Sequence, residues 1–277
     1  MPAITPRTIS VRRPDIDYDA PDFPKYFVDD DPVRSHIAAM LSSVFPEGED
    51  FFVRSVRAYR DEITDPELKK QVNGFIGQEA LHGREHREFN DALQALGYPT
   101  HLVDRNVKRG LAFLNKIAPK RTQLAVTAAL EHYTATLAEI ILRDDQARNE
   151  FTSDEARDLF TWHAMEESEH KSVAYDVFQE VCGQHYVRVG VMMAVHVEFL
   201  FIMTLAVSYS ILRDPVARKP RTLLRSLRKL RTHPFFQKEM ITKLRDYNRR
   251  DFHPDDHDTT DILEQYRAWY EAAPIAS

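Results

Sequence analysis

Glu79-Ala80-Leu81-His82 and Glu167-Ser168-Glu169-His170 share one pattern, Glu-x-x-His. Residues three apart lie on the same face of a helix. Each pair therefore offers a carboxylate and an imidazole to one point. One such pair is weak evidence of a metal site. Two pairs on separate long helices are much stronger evidence, provided that two more helices supply carboxylates at the same height.

Cap and breaker residues set the helix boundaries. Asp31-Pro32 and Asp65-Pro66 each read as an N-cap followed by proline at the first helical position. Phe45-Pro46-Glu47-Gly48 reads as a break, Gly97-Tyr98-Pro99 as a stop and Ser153-Asp154-Glu155 as a start. The expected helices are 31–44, 47–63, 66–96, 104–143 with a break near Pro119, and 153–181. A polar loop is expected from Asp144 to Phe151. The two hairpins then turn near 64–65 and 148–149, and antiparallel neighbours at equal height are mirror positions about the turn. The mirror of Glu131 is about residue 166, next to Glu167. The mirror of Glu79 is about residue 50, beside Glu49 and Asp50. Each mismatch is about 1.5 Å of helical rise.

Glu131 is the only charge between Arg121 and Glu139. A carboxylate in so apolar a helix is costly unless it is paired, protonated or metal-bound. The candidate metal ligands are therefore Glu49, Glu79, His82, Glu131, Glu167 and His170, with Asp50 competing for the place of Glu49. Two Glu-x-x-His helices plus one Glu from each of two others form the donor set of a ferritin-like dinuclear bundle. His163, His86, Glu166 and His132 are candidates to orient these ligands or extend the set, and Glu85 is also near. His132 adjoins Glu131 but points about 100° away from it.

The expected fold class is all-α: a ferritin-like four-helix bundle with an extra N-terminal arm and C-terminal helices. Six prolines in the first 32 residues make residues 1–30 an extended arm, pinned by Phe23, Tyr26 and Phe27. Residues 31–277 form one domain, with the bundle core at about 47–181. Composition agrees. Only 8 of 277 residues are glycine, and neither GxGxxG nor GxxxxGK[ST] occurs, so phosphate-loop and dinucleotide chemistry are poorly supported. A net charge of −6 argues against nucleic acid as the partner. One cysteine, Cys182, excludes an internal disulfide framework and a cysteine zinc site, and no apolar leader is visible. The expected compartment is the cytoplasm.

Residues 187–212 form a long apolar run followed by a basic stretch from Arg213 to Arg231. The run is long enough to cross a bilayer, but His196 and Glu198 sit near its middle. The preferred reading is a buried fifth helix lining a substrate pocket through Met192, Met193, His196 and Phe199, which implies a small hydrophobic substrate. Peripheral membrane contact or a homodimer interface is the alternative. The basic stretch reads as a solvated face, or as a contact for an anionic membrane or an acidic electron-donor protein. The cluster His253, Asp255, Asp256 and His257 reads as a capped turn rather than a second metal site.

The segments FPEGEDFFVRSVRAYRDEITDPELKKQVNGFIGQEALHGREH, LEHYTA, WHAMEESEHKSVAYDVF and DFHPDDHD resemble the family called predicted metal-dependent hydrolases, a ferritin-like group. The resemblance runs from about Arg12 to Trp269. It implies a metal-dependent hydrolase with acidic and histidine positions at Glu49, Glu79, His82, Glu131, Glu167 and His170. The donor set itself suits two divalent ions, iron before manganese or zinc. On that chemistry an O₂-dependent di-iron oxidase or oxygenase is slightly favoured. The alternative is the hydrolase, using a metal-bound hydroxide. Non-catalytic iron storage fits the arm and the long C-terminal extension poorly.

Overall fold

The computed structural model describes residues 4–5, 7–18 and 23–272. The fold is all-α, with no strand among the described residues and a single isolated bridge between Val28 and Phe151. Four elements surround the core: α1 (Pro32–Arg57), α2 (Pro66–Ala95), α4 (Lys120–Arg143) and α6 (Asp154–His170). Between α2 and α4 lies α3 (Thr100–Ile117), and the α4–α6 connection holds the short α5 (Asp145–Asn149). Helix α1 packs on α2, and α4 on α6, so the two hairpins face each other as a ferritin-like bundle would require.

The cap signals act as expected. The Asp31 carboxylate accepts from the amides of Val33 and Arg34, and Asp65 accepts from those of Glu67 and Leu68. Ser153 caps α6 by accepting from the Ala156 amide. Gly97 ends α2 at φ +96°, a conformation that favours glycine.

Pro46 does not break the chain. Helix α1 runs through it from Pro32 to Arg57, as one helix in place of the expected 31–44 and 47–63. An internal proline costs about 3 kcal/mol. The same helix buries Met40, Phe51, Phe52 and Val56, each contributing roughly 1.5–3 kcal/mol, so burial outweighs the lost bond. The expected 153–181 helix is likewise two. It bends at Lys171 and Ser172, where the Lys171 ammonium turns aside to bond the His257 carbonyl and the Thr259 hydroxyl at 3.1 Å. Helix α7 (Val173–Val181) follows.

The described part of the arm lies extended along α2. Gln71 and Gln78 side chains donate to the Thr5 and Ser10 carbonyls at 2.9 Å each. The approach is close because Gly74 and Gly77 face it: a Cβ there would come within 2.7 Å of Ile9 and 2.5 Å of Val11. Phe27 packs against Phe89 and Tyr98, and the Tyr26 hydroxyl meets Asp214, as the pinning role of these residues requires. Pro2, Pro6 and Pro21 lie outside the described residues.

Helix α8 (His185–Arg213) corrects the expectation of a buried fifth helix. Only Arg188, Met192, Val195, Ala206 and Ser210 are buried, one stripe facing the bundle. The outer face is exposed, because mean hydropathy over a run cannot say how many sides of it find a neighbour. Helices α9 (Pro220–Leu230), α10 (Lys238–Asp246) and α11 (Thr260–Ala272) complete the fold. The His253–His257 segment is a capped 3₁₀ turn, with His253 paired to Asp176 and His257 to Asp246.

Candidate metal centre

Glu49 projects from α1, Glu79 and His82 from α2, Glu131 from α4, and His163, Glu167 and His170 from α6. All seven are buried. The spacings 79/82 and 163/167/170 keep each helix's donors on one face. Glu49, His82 and His163 converge closely enough to hold one cation, and Glu79, Glu167 and His170 to hold another. Glu131 joins the second group, with its Oε2 3.5 Å from His170 Nε2.

Glu167 stands between the groups. Its Oε1 is 3.4 Å from His82 Nδ1, 3.3 Å from His163 Nε2 and 3.4 Å from His170 Nε2. Glu79 Oε1 likewise lies 3.0 Å from His170 Nε2 and 3.7 Å from His82 Nδ1.

Nine donor atoms here are buried and lack a hydrogen-bond partner: both oxygens of Glu49, Glu79 and Glu131, Glu167 Oε2, His82 Nδ1 and His170 Nε2. Each unsatisfied buried polar group costs roughly 1–3 kcal/mol, more if charged. So concentrated a set of unpartnered acceptors fits two divalent cations, which would satisfy all of them at once.

The protonation balance has the same origin. Burial, then the charge of Glu79, pushes Glu49 well above the usual carboxylate range; burial and the same neighbour do so to Glu131. Glu79 is raised by burial, against the pull of His170. Glu167 is the exception. Burial opposes its charge, but His170, His163 and His82 together hold it well below the ordinary value. Burial lowers His163 to about 4, with His82 repelling its charge, whereas the surrounding carboxylates raise His82 and His170, whose protons a bound cation would displace.

Outer groups fix the rings. His82 Nε2 faces Glu166 Oε2 at 3.2 Å, leaving Nδ1 for the centre. His170 Nδ1 faces Gln78 Oε1 at 2.8 Å, leaving Nε2 for the centre. Gln78 donates to Glu169, and Arg12 of the arm donates to both Glu166 and Glu169. Arg12, Gln78 and Glu169 escaped the sequence reading, since only the path of the arm brings them here. Arg12→Ala is expected to weaken metal binding about 10- to 100-fold with helix content retained. Competition titration against a chromophoric chelator, alongside circular dichroism, checks this. Unchanged affinity would remove Arg12 from the support of the centre.

The remaining candidates sort as follows. His86 does not reach the centre. It sits 2.8 Å from His163 Nδ1 and bonds Ser42, so it positions His163. His132 points away, as its 100° offset implies, and bonds the Lys243 carbonyl. Asp50 pairs with Arg87 at 2.7 Å outside the centre, which leaves the place to Glu49. Glu85 pairs with Arg84.

Two apolar cavities adjoin one end of the centre. The first includes Glu49, Phe52, Leu111, Leu130 and Phe199 in its wall. The second includes His163, Ala164, Phe160, Leu230 and Phe235. Leu41, Phe45, Thr134 and Leu137 are common to both. Of the expected pocket residues, Phe199 lines the first cavity. Met192 is instead buried in a cluster with Tyr247 and Phe252, Met193 is exposed on the outer face of α8, and His196 bonds the Tyr133 hydroxyl.

The family model described as predicted metal-dependent hydrolase matches residues 10–258. The chain belongs to this family. No curated protein and no solved structure matches the chain. The match to the metal-dependent hydrolases spans every donor of the centre, from Glu49 to His170, together with Arg12 and the 253–257 turn. It supports the hydrolytic alternative of the sequence reading. Nothing in it supports the di-iron oxidase.

Proposed function

We propose that the protein is a dinuclear metal-dependent hydrolase acting on an apolar ester or amide. The observation that carries this is the set of seven buried donors with nine unpartnered atoms, Glu49 lining one apolar cavity and His163 the other. Glu49, His82 and His163 would hold one cation, and Glu79, Glu167 and His170, with Glu131 beside them, would hold the other. When bound, such a pair activates water near neutral pH and polarises a carbonyl or phosphoryl oxygen.

The chain's own residues do the rest. Phe45, Leu41 and Leu137 exclude water and hold an apolar chain beside Glu49 and His163. Thr134, the one hydroxyl side chain common to both cavities, donates to its own helix at the Glu131 carbonyl and so leaves the walls apolar. Glu166 and Gln78 keep the two imidazoles in fixed tautomers, so the donors are held ready before substrate enters.

One observation keeps a second reading in view. Four carboxylates among seven donors suit iron or manganese, and a carboxylate-rich iron pair also supports O₂ chemistry. Loading metal-free protein anaerobically with Fe(II), Mn(II) or Zn(II), then assaying p-nitrophenyl esters of graded acyl length with and without air, separates the two. Hydrolysis predicts turnover that rises with acyl length and ignores O₂. O₂ uptake by the Fe(II) form, with a transient visible chromophore and no ester turnover, would establish the oxidase instead. Failure to retain any transition metal would defeat both.

A further inference from the structure

We propose that the outer face of α8, together with α9, docks on an anionic lipid bilayer as a peripheral membrane surface. The buried stripe of α8 packs on α1 and α4. The opposite stripe carries Met193, Val197, Leu200, Phe201, Leu205 and Leu212, at helical spacing. Val197 is 70 % exposed, Leu200 69 % and Phe201 62 %. The stripe is about 30 Å long at 1.5 Å per residue. An exposed apolar surface of that size, interrupted by the single acid Glu198, marks an interaction site.

Helix α9 supplies the sign of the partner. Residues 215–238 contain eight Lys and Arg and no Asp or Glu. Lys229 pairs with Asp29, but among the described residues Arg221, Arg225 and Arg228 form no ion pair. Leu224 and Leu227 are exposed beside them. Basic side chains flanking exposed leucines match phosphate headgroups above acyl chains. A second copy docked through the same face offers no such complement, since α8 carries one acid, Glu198. The helix also does not cross the bilayer. Its inner face is tied to the domain, with Ser210 Oγ 2.6 Å from His36 Nδ1 and Arg188 bonded to the Tyr247 and Arg249 carbonyls.

Docking here would place the cavities against lipid. Leu111 and Leu114 of α3 and Phe199 and Ile202 of α8 wall the cavity at Glu49, and Leu230 and Phe235 beside α9 wall the other. An apolar substrate would then pass from bilayer to centre without crossing water. That last step rests on the proposed function; the docking does not.

Flotation of the purified full-length protein with phosphatidylcholine vesicles, with and without phosphatidylglycerol, tests the proposal. Binding to the anionic vesicles at low salt is expected, at least about tenfold weaker at high salt. Val197→Asp with Phe201→Asp should weaken it at least about tenfold, and so should Arg221→Glu with Arg225→Glu and Arg228→Glu. All five positions are exposed, and unchanged melting curves would show that the variants fold. Three results overturn the proposal: no binding to anionic vesicles at low salt; equal binding to neutral vesicles, indifferent to salt and to the Arg variants; or a solution mass of twice the chain that Phe201→Asp halves. A need for detergent to release the protein from membranes would indicate a span and overturn it too. Absent hydrolysis with intact flotation would refute the function and leave the docking standing.

Discussion

Glu167→Ala is expected to strip both cations and abolish turnover. Glu167 Oε1 is within 3.4 Å of a nitrogen of all three imidazoles, so one side chain serves both halves of the centre. No neighbour can replace it. Glu166 is committed to His82 and Arg12, and Glu169 to Gln78, Arg12 and Arg267. Metal content should fall from two per chain to well under one, and ester turnover by on the order of 1,000-fold or more. Glu131→Ala is the informative contrast. Its carboxylate meets only His170 among the imidazoles, so the Glu49–His82–His163 group stays whole and about one metal per chain should remain. Elemental analysis of both variants after identical loading decides the matter. Two metals retained by Glu167→Ala would show that Glu167 is not shared, and a total loss in Glu131→Ala would show that the halves do not load separately.

How much of this was legible in the sequence depends on the range of the forces involved. Glu-x-x-His is local, and the helix period alone puts each pair on one face. Glu49 and Glu131 were reachable because the two hairpins turn over short, well-capped connections, so mirror counting errs by only about one residue. His163 was reachable as one turn before Glu167. The support through Arg12 and Gln78 was not, because it depends on where an extended arm crosses α2. A signal existed: Gly74 and Gly77 lie inside a helix, where glycine costs about 1 kcal/mol each against alanine. That cost is explained once a backbone passes too close for a Cβ.

The misreadings share a physical cause. Pro46 was judged on local preference, and tertiary burial of the α1 face overrode it. The 187–212 run was judged on its average, while what matters is how many of its sides are covered. Bundle packing covers one, and the resulting outer stripe is the more informative feature for function.

Loading the metals should stabilise the protein more at high pH than at low pH. In the metal-free protein, burial and mutual repulsion raise Glu49, Glu79 and Glu131 above their unfolded values, near 4.3 for glutamate. The folded state then binds more protons than the unfolded chain. The stability tied to those protons is full below the unfolded value and is lost as pH rises through the folded one. His82 and His170 act in the same direction. Burial lowers both, but Glu166, Glu167 and Glu79 together outweigh it at His82, and Glu167, Glu79 and Glu131 together at His170, so both end well above the ordinary value. Glu167 is lowered, and its contribution is already complete near neutrality. Between pH 5 and 8 the raised groups pull the metal-free melting temperature down as pH rises, while His36, His86, His132 and His163, held low by burial, pull it up. Bound cations compete with the protons of the raised groups, so the gain in melting temperature on loading should widen as pH rises over the same range. At a free metal concentration 1,000 times Kd each site adds about 4 kcal/mol, or about 8 for two. For a chain of this size that raises Tm by roughly 15 °C. Glu131→Gln supplies the control. It removes a buried carboxyl that must take up a proton on folding, so it should raise the metal-free Tm at pH 7.5 while reducing the gain on adding Mn(II). Melts at pH 5.5 and 7.5, with chelator or with Mn(II), measure all four quantities. A loading gain that does not widen with pH, with no rise in metal-free Tm from Glu131→Gln, would mean that these carboxylates are satisfied within the protein and that the cluster is an ionic network rather than a metal centre.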